Sequence, residues 1–323
     1  MKTKTTGFFI IITFIMFMLY GCSKTIDLNN PGNLQQLPNL NSGTIHAYGL
    51  LPMTAEQISK MPLYSQESFP LNQSLKTLKL SYRIPWNPAI RDQGQIGSCT
   101  AFCGVEADEI LYHFKPNNKD VILSPAFIYY CERVLIQKLP ITSDNGAYME
   151  DIVHSLQSYG DCKEVSYAYP PSDVSHAYTT PPSSAAIAEA LKYRTGQTRF
   201  SYAMLPAGDL TAVKLILSTN TPVMMGFTVY DIPTSSYPLF EGLDTKNSTY
   251  YPLTPSGDLK DGALLLGGHA VPIIGFDDNN QRFLCQNSWG ASWGNAGFFY
   301  MPYKVYQSTK VVEAGSCYCA ILY

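Results

Sequence analysis

Apolar residues recur along this chain first at helical and then at strand spacing. Phe102, Val105, Ile110, Leu111 and Phe114 mark one face of a helix over 99–114. Ser124-Pro125 supplies a capping hydroxyl and a first-turn proline, predicting a helix over 126–137. Tyr148, Met149, Ile152, Val153 and Leu156 predict a third helix, and 185–193 and 209–218 a fourth and fifth. Beyond these the pattern changes to short runs rich in β-branched and aromatic residues, predicting strands over 222–230, 269–276, 282–288, 297–301 and 318–323. Between the first two strands, 231–262 is rich in Pro, Ser, Thr and Gly and reads as a long surface loop. Helices followed by strands argue for an α+β fold of two lobes, helical first and antiparallel β second, with a cleft between them.

The N-terminal region has a different character. Lys2 and Lys4 precede an apolar run over 8–19, too short to span the ~30 Å core of a bilayer, so residues 1–21 read as a signal peptide. Asn29, Asn30, Pro31, Asn33 and Pro38 break any periodicity, and 22–80 reads as a tether and leader ahead of a domain over 81–323. Leu50, Leu51, Met53, Met61 and Leu63 are scattered through 46–80, which is expected to pack on the domain as an extended arm or to inhibit it.

Composition narrows the function classes. Only 15% of the 323 residues are charged, the net charge is −3, and no Lys/Arg block stands out, so no nucleic-acid partner is expected. With 46% hydrophobic residues the chain can bury a core, and a monomer is expected. Among eight cysteines, Cys103 follows Cys99 by one helical turn and reads as a small core residue. An exported compartment would permit disulfides among Cys103, Cys131, Cys162, Cys285, Cys317 and Cys319, in too many pairings for the sequence to choose. Cys317-x-Cys319 lacks zinc-site spacing, so neither metal nor cofactor is expected.

The candidate chemistry lies in three stretches. Cys99 opens the first helix after Gly97 and Ser98, which leave room for a substrate backbone; a helix N-terminus lowers a thiol's pKa and favours the nucleophilic thiolate. His269 follows Gly267 and Gly268 at the start of a strand, and Asn287 lies one hairpin's reach downstream. The Asn287 amide oxygen can hold one imidazole nitrogen while the other faces the sulfur, triad logic in Cys-His-Asn form. His46, His113, His154 and His176 read as surface or packing residues.

At these residues the chain resembles the papain family of cysteine peptidases. Gln93-Gly-x-x-Gly-Ser-Cys99-x-Ala-Phe102 is similar to the family's nucleophile region, Gly268-His269-Ala270 to its histidine region, and Asn287-Ser288-Trp289-Gly290 to its asparagine region. Asp144-Asn145-Gly146-Ala147-Tyr148 resembles the glycine-containing cleft segment. The resemblance implies that Cys99 attacks the scissile carbonyl, His269 moves the proton, and Asn287 orients His269. It further implies an oxyanion hole made by the Gln93 amide and the Cys99 N–H, Trp289 shielding the Asn287–His269 bond, and cleft-wall roles for Gly97, Ser98, Gly146, Ala147 and Gly268. Ile96 stands where many relatives carry a structural cysteine, and Thr100 replaces a tryptophan, a change expected to loosen the primed side of the cleft. The Cys99-to-His269 interval exceeds that of most relatives, the surplus falling in 231–262. These departures look closer to bacterial members.

Leu19-Tyr20-Gly21-Cys22 resembles a bacterial lipobox, which implies cleavage before Cys22 and its lipidation. The expected location is a bacterial membrane, outer membrane or cell surface, with a periplasmic or secreted protein as the alternative. The leading expectation is hydrolysis of peptide bonds through an acyl-enzyme thioester, by an endo- or exopeptidase. The same triad could serve another amide hydrolase or a transferase, since the deacylating nucleophile is not encoded in it. A non-catalytic surface lipoprotein that binds peptides is the third reading.

Overall fold

The computed structural model describes residues 46–65, 79–114, 120–170, 179–194, 200–231, 240 and 242–322. The signal-peptide segment, Cys22 and His176 lie outside them. The chain forms helix α1 (Ala55–Lys60), strand β1 (Ser81–Arg83), and helices α2 (Cys99–His113), α3 (Pro125–Tyr130) and α4 (Met149–Ser158). Then follow α5 (Ser184–Ala190), β2 (Phe200–Met204), α6 (Leu210–Leu217), β3 (Val223–Asp231), β4 (Leu264–Asp277), β5 (Arg282–Gln286), β6 (Phe298–Pro302), α7 (Tyr303–Tyr306) and β7 (Cys317–Leu322).

Local chemistry explains the helix starts. Ser124 Oγ accepts from the Phe127 N–H with Pro125 in the first turn, and Asp209 and Ser183 cap α6 and α5 in the same way. The helix expected to run to residue 137 changes character at Cys131, where a π-helical turn over Cys131–Ile136 carries Glu132 and Arg133 into the interior. Helix α2 also departs from expectation: it is buried on every side from Cys99 to Tyr112, including Glu106, Asp108 and Glu109. It is a central helix rather than a one-faced surface helix.

The strands form one antiparallel sheet in the order β2-β7-β3-β4-β5-β6, with β1 also pairing β4. Strand β4, 14 residues long, pairs β3 along its first part and β5 toward its end. Its β3 register places Phe227 opposite His269 and Gly226 opposite Ala270. One core packs α2, α3 and α4 around Ile128, Ile152 and Leu156; the other fills the sheet side around Val271, Phe283 and Phe299. Strand β1, with three residues, is too short to show a period, and β2 is a further strand beyond those the sequence predicts. The architecture is the expected papain-like α+β fold, helical part first.

The described leader residues cross both parts. Leu63 makes a parallel bridge to Met204, and the Tyr64 N–H donates to the Met204 carbonyl at 2.8 Å, covering the β2 edge. Helix α1, also unexpected, starts on a capping box of Thr54 and Gln57. Among the described residues no helix is long and apolar enough to cross a membrane.

Candidate active site

Cys99 is the first residue of α2 and has no solvent exposure. Its sulfur lies within reach of the backbone N–H groups of Gly49, Ala270 and Thr100. Because Ala270 follows His269 on β4, that contact brings the histidine strand to the nucleophile's helix. His269 Nε2 lies 2.7 Å from Asn287 Oδ1, and the buried Nδ1 has no hydrogen-bond partner. The β4–β5 hairpin sets this pair: Ile273 is opposite Cys285, and Asn287 follows the end of β5.

Aromatic rings enclose the imidazole. Trp289 lies 4.9 Å from the His269 ring between centroids, with Phe227 and Phe240 at 5.7 and 5.8 Å. They exclude water from the His269–Asn287 bond, which strengthens it.

Gln93 is fixed on both sides of its amide. Ser288 Oγ donates to Gln93 Oε1 at 2.7 Å, forcing Nε2 to the other side, where it donates to the Ile96 carbonyl at 2.9 Å and to the Ala47 carbonyl at 3.1 Å. The Gly97 N–H donates to Asp144 Oδ1 at 3.1 Å, and Tyr129 bonds the same carboxylate. Ser98 places its hydroxyl 2.7 Å from that of Tyr169. Thr100 is buried and donates to Glu132 Oε2 at 3.0 Å, so its side chain belongs to the helical interior.

Residues 46–51 fill the cleft. The Ala147 N–H donates to the Gly49 carbonyl at 2.8 Å, the Leu51 N–H to the Ala147 carbonyl at 2.9 Å, and the Leu50 N–H to the Gly268 carbonyl at 3.0 Å. These are the wall residues the sequence singles out, and their backbone groups are taken by the chain's own arm. The fit needs glycine: a Cβ at Gly49 would meet the Gly97 oxygen at 1.8 Å, and one at Gly146, where φ is +76°, would meet the Gly49 oxygen at 2.0 Å. The Leu50 side chain lies over Gly226 beside Met149. His46 stacks on Trp289 at 4.5 Å with rings 8° from parallel, its Nδ1 3.7 Å from Asp92.

This occupancy sets the electrostatics. Burial pushes the Cys99 thiol up to about 11, against the lowering effect of the Gly49, Ala270 and Thr100 N–H groups. Burial also drops His269 to about 4, against the raising effect of Asn287. Both groups are therefore neutral at pH 7. The helix terminus expected to activate the thiol is present, and desolvation outweighs it.

Residues 85–319 match the family described as papain family cysteine protease. The chain belongs to the papain family. It is 31% identical over 221 residues to a peptidase C1-like protein of Acanthamoeba polyphaga mimivirus, covering 66% of this chain and 64% of that one. It is 27% identical to cathepsin S of Bos taurus over 86% of this chain and 77% of the relative. Its structure is similar to that of xylellain, a cysteine protease from Xylella fastidiosa, with a TM-score of 0.68 and 26% identity over 88% of this chain and 99% of that one.

Within this papain-family chain the structure brings Cys99, His269, Asn287, Gln93, Gly97, Ser98, Gly146, Ala147, Gly268 and Trp289 to one cleft. Sequence reasoning did not assign His46, Tyr48, Gly49 or Leu50 to the cleft, although Leu50 lies in the leader expected to pack on the domain as an arm or to inhibit it. The available signal was a glycine beside an apolar pair, Gly49-Leu50-Leu51, in an otherwise polar leader. Of the other histidines, His113 stacks on Trp86 and His154 is exposed, both away from the cleft. The seven described cysteines are all unpaired, and no described group of side chains could hold a metal ion.

Proposed function

We propose that this chain is an exported cysteine peptidase, lipid-anchored at Cys22, whose described form is latent. The observation that carries the reading is the 2.7 Å His269–Asn287 bond on a strand whose next N–H reaches the Cys99 sulfur. Once the arm leaves, water and substrate replace it, and the desolvation that keeps both groups neutral is relieved. His269 then takes the thiol proton through Nδ1 while Asn287 holds Nε2. The thiolate attacks a peptide carbonyl, and the developing oxyanion is met by the Gln93 amide and the Cys99 N–H. His269 returns the proton to the leaving amine, leaving an acyl thioester that water hydrolyses, with His269 as base.

Two features support latency. The Ala47 carbonyl holds the Gln93 amide, where the substrate oxyanion would sit. The Gly49 carbonyl and the Leu50 and Leu51 N–H groups pair with Ala147 and Gly268, so the arm occupies the backbone groups of the cleft wall that a substrate would use. By the same reading, the recess holding Leu50 accepts an apolar substrate side chain.

A peptidyl epoxide tests the assignment. Intact-mass and peptide mapping should locate one adduct on Cys99 after arm release and far less before it. An opened protein that stays unlabelled, or is labelled at another cysteine, would refute it.

A further inference from the structure

The oxyanion hole assigned above needs two donors aimed at one point, the Gln93 side-chain amide and the Cys99 backbone N–H. They come from opposite ends of the turn 93–99. That turn contains Gly94, at φ +59°, and Gly97, so its backbone is loosely specified by itself. Its described internal bonds all pass through Ile96: the Ile96 N–H reaches the Gln93 carbonyl at 3.4 Å, while the Ser98 N–H and the Gln93 side-chain amide donate to the Ile96 carbonyl at 2.8 and 2.9 Å. Ser98, although it precedes α2, makes no capping bond with its side chain.

One hydroxyl joins the two ends. Tyr169 Oη donates to the Gln93 carbonyl at 2.9 Å and lies 2.7 Å from Ser98 Oγ. Proton counting fixes the directions: the phenol's single hydrogen goes to the Gln93 carbonyl, so the Ser98 hydroxyl donates to the phenol oxygen. Among the described residues the other acceptor near Ser98 Oγ is the Ile96 carbonyl, at 3.5 Å. Tyr169 is itself held at two further points: its ring stands edge-on to Phe102 at 4.7 Å, and its N–H donates to Glu164 Oε1 at 2.6 Å. Burial raises its pKa well beyond the ordinary tyrosine range, so it keeps its proton at any working pH.

We propose that Tyr169 is a positioning residue for the oxyanion hole: its hydroxyl clasps Gln93 to Ser98 and so sets the distance between the two oxyanion donors. It does so without touching substrate. The inference rests on the peptidase reading and adds a residue from the loop after α4 that the triad does not involve.

The test compares two reactions of the same sulfur. Hydrolysis of a peptide amide builds an oxyanion; alkylation by iodoacetamide does not. In full-length protein carrying Gly49→Leu to free the cleft, Tyr169→Phe keeps the ring on Phe102 and removes the clasp. The expected result is a kcat lowered roughly 10- to 100-fold with KM little changed. A peptide aldehyde, whose adduct carries the oxyanion, should lose affinity by the same factor, while the alkylation rate holds. Ser98→Ala should reproduce part of the loss and add little to it in the double variant. Unchanged kcat and aldehyde affinity, or alkylation falling in step with hydrolysis, would overturn the proposal. Failure of the Gly49→Leu parent to hydrolyse any peptide would instead strike the peptidase reading, and the aldehyde comparison would still decide the role of Tyr169.

Discussion

The Ala47 carbonyl accepts a hydrogen bond from the Gln93 side-chain amide at 3.1 Å, so the arm's own backbone holds the group assigned to the oxyanion. Ser288 leaves that amide only one orientation, which makes the contact an occupancy of the site itself. Removing the Gln93 side chain should therefore have two effects: kcat falls roughly 10²- to 10³-fold once the cleft is open, and the arm loses one of its anchors. Steady-state kinetics on Gln93→Ala, with limited proteolysis of residues 46–65, separates the two.

Gly49 decides whether the arm fits. Its Cβ position lies 1.8 Å from the Gly97 oxygen, a backbone atom that cannot swing away. Gly49→Leu should cost the docked arm about 1–3 kcal/mol, raising the open fraction roughly tenfold to a hundredfold. Hydrolysis of a fluorogenic peptide by the uncleaved variant reads this directly, and a rate equal to wild type would contradict it.

The docked arm should weaken in acid. His46 is faced by Asp92, the Gly94 backbone, Trp289 and His269, with Tyr48 beside it on the arm. Burial lowers its pKa, and Asp92 and Gly94 recover only part of that. A group whose pKa is lower docked than free stabilises docking above its free value, near 6.5. That contribution is lost as pH falls through 6.5 and below. Wild-type activation should accelerate from pH 7 to pH 5, and His46→Phe, which keeps the stack on Trp289, should flatten the profile.

A second pH effect runs the other way and concerns the fold. Glu106 and Glu109 are buried in α2, and burial raises them to about 8 and about 7 against the lowering effect of Arg91. Raised carboxyl pKa values stabilise the fold below the ordinary glutamate range and lose that contribution as pH climbs toward the folded values. The Tm should be higher at pH 5 than at pH 8. Glu106→Gln, facing the Gln286 amide, should narrow the gap.

Much of this molecule was legible in its residues, for identifiable reasons. Ser124-Pro125 and Asp209 announce helix starts because a capping side chain is a local event. Cys99, His269 and Asn287 announce themselves because each sits in a short stretch of unusual composition. The arm did not. His46 looks like any loop histidine, and its partners Trp289 and Asp92 lie far along the chain, so only tertiary structure reveals the stack. The π-turn at Cys131 was invisible in the local pattern, and the Glu132 that it buries bonds Thr100 on a different helix. The thiol's state was misjudged because the helix terminus is read locally, whereas burial is a property of the assembled cleft.

Cleavage of a peptide library by the full-length Gly49→Leu protein, alongside Gly49→Leu/Cys99→Ala, tests the central claim most directly. Under reducing conditions between pH 5 and pH 8, the first protein should cleave, with apolar residues enriched at one position on the acyl side of the cut, and the second should not. No cleavage by the first, or equal cleavage by both, would contradict the account.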